Sequence, residues 1–579
     1  MKRILLFFLL IFSLFVASCS GASSQADDVS SENASTEKSS SINNVSSAES
    51  ATKQPEADGY VGFISVDGQR LVDENGKEYF IKGMAFGNNV FAYPRRPPLT
   101  DHNKDSFSFL SELGFNSVRF YLNYNLFEDD NVPYQYAETG FKWLDRNIQW
   151  AKENGIRLVL NMHCPQGGYQ SNGDGHALWT NPENTKRLSA LWTEIAKRYA
   201  DEPTILGFGL INEPGIPVEK SKDAMPIYTK AVQNIIDSIR EVNQNHIIFV
   251  EKLGFIQDSV TLERDWVTLN NRCNWPEVQD NNLVYEFHTY NPFTFTHQSD
   301  SSNTVYYPDT SRIEKSVLGD TIKDVTGYEA DWLSDGWQTL EVPSLVCTGE
   351  NQIVRFFLEN SYMGSNGRVY IDDIVVKEFD ENGDFLRTVY TSSFPKKTTV
   401  YFWSETSNKL TGYSSNAGVD SSGCIWVGNI DKYGDGVSYS FKGTPNHSYS
   451  ASVAVRVENV SRSLIVRPRL RLSSAKEVIV SDRNFLETSL KPEVNFSKKY
   501  NVPIYCGEFG ANSNCFAENG GDIWVSDMLD IFKENGIHFN YHVFHEPLFG
   551  LYRNSINALP DDLNQDLYNV FAEKLKPEY

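Results

Sequence analysis

Gly207 to Pro214 reads GFGLINEP, and from Ile205 to Ile211 the chain is apolar without a break. Such a run can be buried on both faces only as an inner strand of a parallel sheet. It stops abruptly at Asn212-Glu213-Pro214, so a carboxylate stands at the strand's carboxyl end. Taken alone, Glu213 could be a solvated loop residue beside a strand-ending proline. The chain holds a second such strand between Val502 and Gly510, where VPIYC delivers Gly507-Glu508-Phe509-Gly510. Two strand-end carboxylates point to a site.

Outward from these two strands, short β-branched segments alternate with helical patterns. Tyr79 to Met84, Ser117 to Leu122, Arg157 to Met162, His246 to Val250, Leu283 to Phe287 and Ile537 to Phe544 complete a set of eight strands. Phe141, Leu144, Ile148 and Ala151 share one helix face that Gly155 ends, and Asn184 to Tyr199 forms another helix. Leu253 to Asn282 is expected to hold the helix after strand five, and further helices are expected over 485–500, 523–535 and 563–575. Eight strand–helix units predict an α/β protein of the (β/α)8 TIM-barrel type, whose active sites lie on the carboxyl rim of the strands.

The alternation breaks after Pro292. From about Ser299 to Asp482 the chain shows short strands and Gly, Asn and Asp turns, among them Gln338 to Val342, Ile353 to Leu358, Val369 to Val376 and Leu464 to Leu472. This predicts an all-β domain inserted between strand 6 and helix 6. Two separate α/β domains flanking a sandwich are the rival, but each half would be an open sheet with exposed edges.

The whole chain limits what the protein can bind. Across 579 residues the net charge is -23, which excludes a nucleic-acid partner and electrostatic docking on anionic lipid, and fits a neutral substrate. Lys2-Arg3 and the apolar run Ile4 to Ala17 form an export signal too short to span a bilayer. Val16-Ala17-Ser18-Cys19 resembles a bacterial lipoprotein cleavage box, which would make Cys19 the lipidated residue; a plain signal peptide cut nearby is the alternative. Ser20 to about Asp58 has no aromatic residue and reads as a tether, reaching roughly 35 Å from a membrane. Six further cysteines lack metal-ligand spacing, and Cys506 and Cys515 are near enough in sequence to bridge.

Leu210-Ile211-Asn212-Glu213-Pro214 and Gly507-Glu508-Phe509-Gly510 resemble the two signatures of glycoside hydrolase family 5, the cellulase-like retaining β-glycosidases. Arg119 in VRFY, His163 in NMHCP, and His288 and Tyr290 in FHTYNP stand at three more strand ends and support the resemblance, as does the opening VDGQRLVDENGKEYFIKGM. It covers residues 60 to 298 and 484 to 579. It implies Glu213 as acid/base and Glu508 as nucleophile, with Asn212 on the sugar 2-hydroxyl. It further implies that Arg119 and Tyr290 hold Glu508 ionised, and that His163 and His288 line the subsite receiving the sugar. The chemistry requires the same parts: retention needs one protonated and one ionised carboxyl about 5 to 5.5 Å apart. One departure is that the family presents a Trp at the end of strand eight, where this chain has Asn540-Tyr541-His542-Val543-Phe544-His545-Glu546-Pro547, leaving Phe544 as a candidate substitute.

The insertion resembles a carbohydrate-binding jelly roll in circularly permuted order, with Trp332, Trp403 and Trp426 as candidate sugar platforms. The expected division is a lipoprotein signal peptide (1–19), a tether (20–58), the first part of the catalytic barrel (59–298), the inserted sandwich (299–482) and the second part of the barrel (483–579). The expected function is a retaining endo-β-glycosidase acting on β-1,4-glucan or a related hemicellulose, with mannan, xyloglucan and β-1,3-glucan open. The competing class is a surface glycan-binding lipoprotein with a silent barrel. No cofactor or metal is expected, and the expected partners are a polysaccharide and the membrane holding the lipid anchor. The protein is expected to be exported to the cell envelope as a monomer.

Overall fold

The computed structural model describes residues 62–91, 102–171, 174–218, 223–259, 264–265, 275–299, 304–364, 366–397, 402–554 and 562–576. The signal, Cys19 and the tether lie outside them. Eight parallel strands close into a barrel: β1 (Lys82–Phe86), β2 (Ser117–Asn123), β3 (Arg157–Cys164), β4 (Ile205–Gly209), β5 (Ile247–Glu251), β6 (Leu283–His288), β7 (Ile504–Phe509) and β8 (His538–Tyr541). β1 starts three residues later than the sequence suggests. Tyr79 instead donates its backbone N–H to Leu71, and Ile81 joins the plug at the barrel floor.

Side chains alternate along each strand, so the barrel interior is built in levels. Val159, Leu206, Ile247, Phe249, Val284 and Tyr505 form an apolar floor, sealed from below by Ile64, Leu71 and Ile81 of the N-terminal hairpin. Arg119, Asn161, Glu251, Glu286 and Asn540 are among the buried polar residues of the strands. The outward residues Phe120, Leu160, Phe208, Ile248, Tyr285 and Phe287 pack against the surrounding helices, among them Glu138–Glu153 and Pro182–Arg198. Trp192 ties one helix to the deciding strand, because its indole N–H donates to Leu210 O at 3.1 Å.

Leu253 to Asn282 departs from expectation. Its described residues hold two short strands, Phe255–Gln257 and Arg264–Asp265, and no helix; 260–263 and 266–274 lie outside the described residues. The first of these strands pairs with Gly215–Pro217, directly after the deciding stretch, so the chain here builds a rim extension.

The insertion is a two-sheet β-sandwich. One sheet orders Asp309–Thr326, Ile465–Ser481, Gln352–Ser361, Tyr433–Lys442 and Phe402–Ser404; the other orders Gln338–Val346, Ser448–Glu458, Arg368–Phe379, Cys424–Gly428 and Leu410–Ser414. Leu340, Phe356, Leu358, Ile371, Val455 and Leu470 meet between them. The strands entering and leaving the insertion pair with each other from Asp309↔Ser481 to Thr326↔Arg469. The helix Arg483–Tyr500 follows at once, so the sandwich stands between strand 6 and helix 6.

The structure decides two points that the sequence left open. Cys506 and Cys515 are both buried free thiols, turned to different carbonyls: Cys506 Sγ donates to Glu508 O and Cys515 Sγ to Phe295 O. Phe544 is 2% exposed and packs among Phe86, Phe109, His545 and Tyr552, away from the rim, because β8 ends at Tyr541 and the chain turns behind it.

Gly207 fits its strand with no room to spare. A Cβ there would lie 2.2 Å from Ile247 O and 2.8 Å from Phe249 Cε2. Gly207→Ala should therefore destabilise the barrel by about 1–3 kcal/mol, read as a lower midpoint of thermal denaturation; a midpoint equal to that of the wild type would contradict the packing.

Candidate active site

Glu213 and Glu508 meet at the barrel mouth. An oxygen of each, and a ring nitrogen of His288, lie within 4.8 Å of one another. The two carboxylates have different surroundings. Glu508 is buried and crowded with donors: Arg119 Nη1 at 2.7 Å and the Tyr121 hydroxyl at 2.6 Å on Oε1, and the Tyr290 hydroxyl at 2.9 Å on Oε2. Burial alone would raise its pKa, but His288, His542 and Arg119 outweigh burial and hold the carboxyl well below the usual range. Glu508 is thus ionised and aimed. Burial and the Glu508 charge push Tyr121 and Tyr290 well above the usual phenol range, so both remain donors.

Glu213 is more open, with its side chain 22% exposed, and its carboxylate meets His288 Nδ1 at 2.9 Å. Its backbone φ of 40° is left-handed, which costs a non-glycine residue about 1–3 kcal/mol unless its surroundings impose it. The Glu213 N–H donates to Glu251 Oε2 at 2.9 Å, and Gly254 N–H donates to the carbonyl of the next residue, Pro214. His288 stands between the two carboxyls, with Nδ1 3.7 Å from Glu508 Oε2. Burial opposes its charge, yet Glu251, Glu508, Glu213 and Glu286 raise its pKa well above the imidazole value.

Arg119 lies beneath both, with no exposed surface. Its Nη2 donates to Asn212 Oδ1 at 2.8 Å, which commits that amide oxygen to the arginine, while Asn212 Nδ2 faces Ser171 Oγ at 3.4 Å. Its Nε is 2.8 Å from Glu286 Oε1, close enough for charge pairing though off the hydrogen-bond axis. His163 stacks on Tyr121 with ring centroids 3.9 Å apart, and burial drives its pKa well below the usual value, keeping it neutral. Arg119, His163, Asn212, Glu213, His288, Tyr290 and Glu508 therefore converge on one mouth.

Four further residues belong to it. Tyr121 is two residues beyond Arg119, Glu286 two before His288, and Glu251 closes β5; period-two alternation was the signal for each. His542 directly follows β8, where the resemblance leads to the expectation of a Trp. Its Nδ1 lies 3.1 Å from the Tyr121 hydroxyl and 3.9 Å from Glu508 Oε2. Beside the mouth, a cavity of about 590 Å³ runs past Phe91, Tyr169, Asn125 and Arg187. Phe91 is 60% exposed there, edge-on to Tyr169 and His163.

Of the sandwich tryptophans, Trp332 lies half-buried under Arg462, and Trp426 is covered by Arg368 and the backbone at Gly412. Trp403 is 43% exposed and tilted against Tyr433.

Several known proteins are similar to this chain. Endoglucanase C of Acetivibrio thermocellus is 29% identical over 207 residues, covering 34% of this chain and 55% of that protein. A β-xylosidase of Phanerodontia chrysosporium is 27% identical over 275 residues, covering 41% of this chain and 53% of its own. The chain thus spans about half the length of these relatives. Among solved structures, Thermotoga maritima Cel5A with cellobiose has a TM-score of 0.43 at 18% identity, covering 85% of this chain and 97% of that one. The family model for cellulase, glycosyl hydrolase family 5, matches residues 72–362, just over half of the sequence, and the chain belongs to that family.

Proposed function

We propose that the protein is a retaining endo-β-glycosidase that cuts a β-1,4-glucan or a related hemicellulose by double displacement. One observation carries the reading: two carboxylates from β4 and β7 face each other within 4.8 Å, one buried and held ionised, the other partly exposed. An inverting mechanism needs about 6.5–9.5 Å between the carboxyl groups, to admit a water. Glu508 attacks the anomeric carbon while Glu213 protonates the leaving oxygen. A water then releases the sugar, with Glu213 now acting as base. Tyr121, Tyr290 and Arg119 keep the nucleophile aimed. Two endoglucanases among the relatives, from Acetivibrio thermocellus and Paenibacillus polymyxa, favour internal cleavage of a glucan.

The finer readings rest on sequence and placement. Export and lipidation at Cys19 would put a monomeric enzyme on the cell envelope, and Trp403 is the sandwich tryptophan with an open ring for a pyranose. Because both ends of the sandwich join the rim, any glycan held there would be presented near the mouth, raising its effective concentration.

Glu508→Gln should leave folding and oligosaccharide binding intact and abolish turnover. Glu213→Gln should lower kcat on polysaccharide by roughly 10²–10⁴-fold. Proton NMR of the first product should show the β-anomer; an α-anomer, or an active Glu508→Gln, would overturn the mechanism. Replacing residues 311–480 with a short Gly/Ser linker should weaken action on long or insoluble polymer while sparing a short soluble substrate. Equal loss on both would assign the sandwich a purely structural role.

A further inference from the structure

Two buried carboxyls lie under the site with no place in the double displacement. Glu251 ends β5 and Glu286 lies within β6, with their side chains 5% and 1% exposed. The Arg119 guanidinium and the His288 ring meet above them, with Arg119 Nη2 3.3 Å from His288 Nε2. Both carboxylates face both groups. Glu286 Oε1 is 2.8 Å from Arg119 Nε and 3.6 Å from His288 Nε2; Glu251 Oε2 is 3.8 Å from Arg119 Nη2 and 3.6 Å from the same His288 nitrogen.

Glu251 does more than neutralise. The same Oε2 accepts the backbone N–H of Glu213, the residue held at left-handed φ. Glu251 is itself anchored, because the buried Tyr228 hydroxyl donates to its carbonyl at 2.6 Å. One oxygen therefore reaches Glu213 by two routes, directly at its backbone and through the ring of His288, whose other nitrogen meets the Glu213 carboxylate at 2.9 Å.

We propose that Glu251 is a positioning residue of this reaction: its carboxylate fixes the backbone of Glu213 and, through His288, the charge that faces the Glu213 carboxyl. The inference rests on the glycosidase reading above and adds a residue to it.

The charged and titratable groups facing His288 are Glu213, Glu251, Glu286, Glu508 and Arg119, with His163 beyond; those facing Glu251 are His288, Glu286, Arg119, Glu213 and Tyr228. Burial, with Glu286 and Glu213 beside it, raises the Glu251 carboxyl well above the usual carboxylate range, although the His288 and Arg119 charges pull against that rise. An ionised Glu251 favours the protonated ring of His288, so loss of that charge lets the ring proton leave at lower pH.

Glu251→Gln is the discriminating variant, since it keeps an oxygen for the Glu213 N–H and removes the charge. On a short soluble β-glycoside, the alkaline limb of its kcat/KM profile should move down by about one pH unit or more. The His288 ring, followed by NMR with selective histidine labelling and assigned by loss of its signal in His288→Asn, should titrate lower as well. Glu251→Ala, folded by circular dichroism, should lose about 10²-fold in kcat with KM little changed. The proposal stands if the limb and the ring titration both move down in Glu251→Gln; any other result in that variant overturns it, whether or not the alanine variant folds. A wild-type protein inactive on every β-glycan would instead remove the catalytic reading, and the NMR titration would still decide the link between Glu251 and His288.

Discussion

The guanidinium of Arg119 has no exposed surface, and the site is built around it. A buried charge is tolerable only when paired, and here Glu508 and Glu286 are each within 2.8 Å of it, with Glu251 at 3.8 Å. The pairing places one carboxylate from β7, one from β6 and one from β5 around a residue of β2. Arginine suits the position because its planar fork presents several fixed donors and its charge is never lost. His288 and His542, with Arg119 after them, hold the Glu508 carboxyl well below the usual range, and of the three Arg119 alone cannot lose its charge.

The contrast with Glu213 follows from position. Both carboxyls sit at strand ends, but Glu508 is still within its strand while Glu213 lies in the turn past the end of β4, with more solvent and a left-handed backbone. Gly507 makes the deeper arrangement possible. A Cβ on it would lie 1.9 Å from Glu286 Oε1, so only glycine leaves room for the carboxylate that backs Arg119. Two carboxyls in unlike surroundings can divide acid and nucleophile roles on one scaffold.

Much of this was legible in the sequence, for physical reasons. Barrel strands are buried on both faces, so they stand out as short apolar runs, and the rim residues at their ends stand out as the first polar side chains. The interior polar level was less visible, because Glu286 and Tyr121 sit inside or beside apolar runs where only alternation marks them as inward. The end of β8 misled most. HFNYHVFHEP offers several aromatics, and which one faces the mouth depends on where the strand stops; it stops at Tyr541, which leaves His542 at the mouth and sends Phe544 into the core. Whether Cys506 and Cys515 bridge was not legible either, since proximity in sequence says nothing of which way each thiol points.

The insertion is not isolated from this chemistry. Its two ends form one antiparallel ribbon rooted at Asp309↔Ser481, so closing the chain around the sandwich requires no long flexible loop. At its foot, Arg312 Nη2 donates to Thr294 Oγ1 at 2.7 Å. Thr294 belongs to the short helix Phe293–Thr296, and the Thr296 hydroxyl donates to the carbonyl of Tyr290 at 2.6 Å. Tyr290 in turn donates to Glu508. Three hydrogen bonds and one helical turn thus connect the base of the sandwich to Glu508. The same helical turn is braced from β7's side, where Asn512 N–H donates to Thr296 O. The short helix Phe293–Thr296 is thus hydrogen-bonded both to the foot of the ribbon and to the chain that follows β7.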